Sequence, residues 1–100
     1  MLNISKEANG GTLKLELEGR LDTVTAPQLE EALKDSTASV TELVFDLTKL
    51  EYISSAGLRV LLSMQKIMNK QGQMKILGAN DNIMEIFEVT GFVDILNIEK

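Results

Sequence analysis

The chain has 100 residues, 44% of them hydrophobic, which is the length of one domain with enough apolar side chains for a single core. It contains no Cys and no His, which removes disulfides, thiolate chemistry, the commonest general base and any ordinary zinc site. A formal net charge of −5 opposes binding to phosphate backbones, so nucleic acid is not an expected partner.

Gly10-Gly11 lies between two short extended segments and predicts a hairpin turn. In the second segment Leu13, Leu15 and Leu17 alternate with Lys14, Glu16 and Glu18, the period of a half-buried strand, which Gly19-Arg20-Leu21-Asp22 ends. A first helix is expected from Thr25. Thr25 and Gln28 have capping-box spacing, Pro27 suits a first turn, and Leu29, Ala32 and Leu33 supply the apolar face. Leu43 to Leu47 is almost continuously apolar, as in a central strand covered on both faces. A short loop then leads to Ser54-Ser55 and a second helix, roughly Ser55 to Lys70, stopped by Gln71-Gly72.

Lys75 to Leu77 reads as the next strand. Asn82 and Glu85 have capping spacing for a third helix, which buries Ile83, Ile86 and Phe87 and ends at Gly91. Ile95 to Ile98 is too short to assign. The order is therefore β-β-α-β-α-β-α: an α/β fold with a mixed sheet and helices packed against it, one domain over residues 1–100. No apolar run approaches a membrane span, and the N-terminus lacks a basic-then-apolar signal. A soluble cytoplasmic protein with no membrane partner is expected. No Asp-rich loop has calcium spacing, so neither a metal nor a cofactor is expected.

At 100° per residue, Val60, Leu61, Met64, Ile67 and Met68 form the core arc of the second helix. Ser55, Arg59, Leu62 and Lys66 share another line, with Leu58 beside it. That stripe carries two cations and no acid. It is either a modest protein interface or a core face widened by Leu58 and Leu62 above solvated cations. The serines are equally open. Ser54 or Ser55 can serve only as an N-cap, or can present a hydroxyl where the helix dipole tolerates a phosphate.

The run from Asp46-Leu47-Thr48-Lys49-Leu50-Glu51-Tyr52-Ile53 through Ser54-Ser55-Ala56-Gly57-Leu58 closely resembles the signature of STAS domains, the family of bacterial anti-sigma factor antagonists. Gly19-Arg20-Leu21-Asp22 followed by a helix is similar to that family's second landmark, and the resemblance covers essentially the whole chain. It implies a regulator of transcription by partner switching, which binds an anti-sigma factor serine kinase and so frees a sigma factor. It also implies phosphorylation of a serine at the start of the second helix and its reversal by a serine phosphatase. By position that serine is Ser55, with Ser54 the alternative acceptor, and Asp22 matches the family's loop acid. The partner surface implied is Asp22, Ser54, Ser55, Ala56, Gly57, Leu58, Arg59, Leu62 and Lys66, on a monomer or weak dimer. Two positions depart from the family pattern: Ser54 stands where many members carry Asp, and Ala56 replaces a small polar residue.

Three rivals follow. A STAS adaptor that is never phosphorylated would be a scaffold of a signalling or transport assembly. An enzyme would have to use Asp22 and Asp46 as paired carboxylates. A nucleotide-binding module would rest on the helix N-terminus at Ser55 to Gly57, but Gly78-Ala79-Asn80-Asp81 lacks the length and lysine of a phosphate loop. The reading adopted is a binding protein, not an enzyme.

Overall fold

The structure is a computed structural model that describes residues 2–34 and 39–99. Its elements are β1 (Leu2–Asn9), β2 (Thr12–Leu21), α1 (Ala26–Lys34), β3 (Glu42–Ile53), α2 (Ser55–Gln71), β4 (Gln73–Leu77), α3 (Asp81–Thr90), a 3-10 turn (Phe92–Asp94) and β5 (Ile98–Glu99). The strands form one mixed sheet in the order β1-β2-β3-β4-β5. The β1–β2 hairpin is antiparallel; β2–β3, β3–β4 and β4–β5 are parallel. Each helix connects neighbouring parallel strands, and each crossover moves one strand in the same direction. Right-handed crossovers therefore place all three helices on one face.

That face holds the core. Leu13, Leu15 and Leu17 of β2, Leu43, Phe45 and Leu47 of β3, and Met74 and Ile76 of β4 are buried with Leu29 and Leu33 of α1, Leu61 and Met68 of α2, and Ile83 and Phe87 of α3. Burying each such side chain contributes about 1.5–3 kcal/mol. The expectation that β3 is covered on both faces is corrected. Its other face is a polar surface where Lys14 pairs with Asp46, and Lys75 with Glu42 and Glu99. Val44 lies among these residues and is itself buried.

Strand β3 is also longer than expected. Residues 48–53, read as a loop, continue the strand through two register shifts against β2. Asp46 stabilises the first, accepting hydrogen bonds from the Thr48 amide and hydroxyl. Strand β4 starts earlier, at Gln73.

The helix caps differ from the expected boxes. Thr25 Oγ1 turns back to donate to the Arg20 carbonyl (2.8 Å), and Gln28 Nε2 donates to the Leu2 carbonyl (2.8 Å), tying α1 to β1. The cap of α3 is Asn80, not Asn82. Its Oδ1 accepts from the Ile83 amide (2.9 Å) while its Nδ2 donates to the Leu50 carbonyl (3.0 Å), so one side chain starts the helix and pins it to β3. Gly72 ends α2 as expected. A Cβ there would sit 1.9 Å from the Thr41 carbonyl oxygen, so only glycine lets the helix end pass that backbone.

Candidate functional site

The ends of β2 and β3 deliver two loops to one place. Leu21 pairs with Ile53, and the Ser54 amide donates to the Leu21 carbonyl (2.8 Å). The loop beginning at Asp22 therefore runs beside the first turn of α2.

The two serines separate into two roles. Ser54 is the N-cap, with extended backbone, and its Oγ accepts from the Gly57 amide (3.5 Å). Its carbonyl accepts from the Leu58 amide (2.9 Å), the first bond of the helix. Ser55 is the first helical residue and is exposed. Among the described residues its hydroxyl has no hydrogen-bond partner. It stands at the positive end of the α2 dipole, beside N–H groups that no helical carbonyl accepts.

Gly57 sets how closely this turn approaches the sheet. A Cβ there would lie 2.6 Å from Leu21 Cγ and 2.9 Å from Ile53 Cγ1. The glycine lets the helix start rest directly on the ends of β2 and β3, which holds Ser55 at the rim.

Asp22 organises the neighbouring loop. Its Oδ1 accepts from the amides of Val24 (3.0 Å) and Thr25 (3.1 Å), while its own amide donates to Thr25 Oγ1 (2.8 Å). The Thr25 amide above all, then the Thr25 hydroxyl, the Val24 amide and the Arg20 charge, holds this carboxyl below its ordinary range against a smaller desolvation effect. Arg20 also places its guanidinium 4.5 Å from the centre of the Tyr52 ring.

Exposure divides the residues of the expected stripe on α2. Arg59 and Lys66 are exposed and Leu62 is half-buried. Leu58 is only 5% exposed and Gly57 is buried, so both serve the core and offer little to a partner. Ile67, expected in the core, is 42% exposed. It lines a groove of about 770 Å³ between α1 and α2, with Glu30 and Glu31 on one wall and Arg59 and Ser63 on the other. Helix α2 carries Arg59, Lys66 and Lys70 and no acid.

Sequence reasoning missed Val24, 85% exposed in the Asp22 loop, and the Arg20–Tyr52 pair. A valine between threonines in a turn, with no periodic partner, was the available signal. The paired-carboxylate rival fails on geometry. Asp46 binds Thr48 and Lys14 on the open sheet face, whereas Asp22 lies at the end of β2. The β3 run from Asp46 to Ile53 separates them by roughly 20 Å, at about 3.3 Å per residue. Among the described residues no group of three or more Asp or Glu side chains is placed to hold a metal ion. Among the described residues no helix is long and apolar enough to cross a membrane.

Comparison with known proteins agrees with this architecture. A Listeria monocytogenes protein named anti-sigma-B factor antagonist is 32% identical over 106 aligned residues, covering 99% of this chain and 91% of its own. The Staphylococcus aureus protein of that name is 30% identical, covering 99% and 94%. The crystal structure of an anti-sigma factor antagonist from Mycobacterium paratuberculosis superposes with a TM-score of 0.89 at 25% identity, covering 98% of this chain and 85% of that one. The STAS domain model itself matches residues 3–100, and the chain belongs to the STAS domain family.

Proposed function

We propose that this chain is an anti-sigma factor antagonist, one domain over residues 1–100 that acts by binding and not by catalysis. It docks an anti-sigma factor serine kinase on the surface formed by Asp22, Val24, Ser54, Ser55, Ala56, Arg59, Leu62 and Lys66, and so releases a sigma factor. Phosphorylation of Ser55 ends the interaction, and a serine phosphatase restores it. The observation that carries this reading is the division of labour between the serines: Ser54 uses its oxygen as the cap, leaving Ser55 exposed at the first helical position.

The switch follows from where the charge lands. A phosphate adds roughly −1.5 to −2 charges. At the start of α2 the helix dipole favours it by about 0.3–1 kcal/mol, and Arg59 lies one turn on, so the fold tolerates it. Within a docked interface the same charge loses water with no arranged partner. By analogy with half of a buried ion pair, that costs about 3–5 kcal/mol, on the order of 10²–10⁴ in affinity.

The test is calorimetric titration of the anti-sigma factor kinase from the same organism with wild type, Ser55→Ala and Ser55→Asp. Ser55→Ala should bind within about threefold of wild type, and Ser55→Asp at least about tenfold more weakly. Equal affinity for all three, with circular dichroism unchanged, would overturn the proposed switch.

A further inference from the structure

We infer that the outer face of α3 and the turn after it form a second docking surface, taken by a basic amphipathic helix of a partner protein. The sequence from Ile76 to Asn97 contains four acids, Asp81, Glu85, Glu88 and Asp94, and no Lys or Arg. All four are exposed. Among them stand apolar side chains that the fold leaves uncovered: Val89 is 81% exposed, Ile95 47% and Val93 36%. These are three of the six large exposed apolar residues among the described residues, gathered within a few positions of one another. Helix α3 and the turn pack against each other, so the two parts belong to one region of the surface.

The shape suits an inserted side chain. Glu85 lines two clefts, one of about 220 Å³ with Ile86 and Val89, the other of about 610 Å³ with Met84 and Glu88. An amphipathic helix docks by placing residues spaced three and four apart into such clefts. Its flanking Lys or Arg would meet the acidic rim, which gives orientation and a faster encounter. The acidity disfavours other occupants. Anionic lipid and nucleic acid are repelled. Two copies of this chain meeting face to face through α3 would oppose like charges.

The open sheet face supplies the internal control. It is also rich in acids, Glu16, Glu18, Glu42 and Asp46 among them, but Lys14 and Lys75 pair with Asp46 and Glu42 there, and the large exposed ring of that face, Tyr52, already holds the Arg20 guanidinium 4.5 Å from its centre. A ligand recognised by charge alone would visit both surfaces, whereas one recognised by charge and apolar contact together would select α3.

The experiment is an amide chemical-shift titration of the full chain with two synthetic probes. One is an amphipathic helix of leucine and lysine; the other is a lysine–glycine peptide of equal length and charge. The first should shift amides of α3 and the following turn, and the second should produce no localised pattern. Val89→Lys, at an exposed position that leaves folding intact, should weaken the first probe at least about tenfold, equivalent to about 1.4 kcal/mol. Shifts centred on Glu16 and Glu18, the same map for both probes, or no binding at all would overturn the inference. So would sedimentation showing that wild type self-associates through this face and Val89→Lys does not.

Discussion

Replacing Gly57 with alanine should destabilise the protein although the residue lies in a helix. In an exposed helix interior the change would gain about 1 kcal/mol from helix propensity. Here the new methyl carbon would sit 2.6 Å from Leu21 Cγ, 2.9 Å from Ile53 Cγ1 and 3.0 Å from Leu21 Cδ2. Neither neighbour has room to retreat, since Leu21 is 0% and Ile53 1% exposed. Overpacking of this kind costs about 1–3 kcal/mol. Against the propensity gain, the net loss is about 1 kcal/mol, or roughly 4–8 °C in Tm for a domain of this size. Thermal unfolding followed by circular dichroism measures it directly. A Gly57→Ala variant that melts at or above the wild-type temperature would refute the close approach of α2 to the strand ends. Ser63→Ala, an exposed site on the same helix, is the control and should be neutral to slightly stabilising.

Three further outcomes follow from the same geometry. Ser54→Ala removes the cap of α2, but the bond it makes is long, 3.5 Å, so the loss in urea unfolding should be near the low end for caps, about 0.5 kcal/mol. Val24→Asp changes an 85% exposed side chain and should leave stability within about 0.5 kcal/mol while weakening the kinase complex, as calorimetry would report. The carboxyls of Asp22 and Asp46 are both held below their ordinary value of 3.8, Asp22 chiefly by the Thr25 amide and Asp46 chiefly by the Thr48 hydroxyl. A folded pKa below the unfolded one stabilises the fold above the unfolded value, and the contribution is lost as pH falls through the folded value. The urea midpoint should therefore drop below about pH 3.8, and drop less steeply in Asp46→Asn.

Much of the fold is legible in the sequence where one period rules a segment. The Leu13, Leu15, Leu17 alternation gives β2, and the Gly10-Gly11 turn gives the hairpin. The second half of β3 is not legible for a physical reason. Its two register shifts convert period two into period three, burying Leu47, Leu50 and Ile53 with polar residues between them, which imitates a loop. The caps of α1 and α3 differ from the expected boxes because spacing cannot say where a side chain turns. Gln28 and Asn80 are taken by the carbonyls of Leu2 and Leu50, contacts distant in sequence. Ile67 lies on the edge of the core arc, and the groove between α1 and α2 decides its exposure. At the site, two adjacent serines pose a question that composition leaves open, and the backbone at Ser54 divides cap from exposed hydroxyl.

The most direct measurement is incubation of the protein with the anti-sigma factor kinase of its own organism and ATP, followed by intact mass. Wild type and Ser54→Ala should each gain one phosphate, and Ser55→Ala should gain none. A phosphate retained by Ser55→Ala, or no phosphate on a wild-type protein that still binds the kinase, would contradict the assignment of Ser55 as the switch.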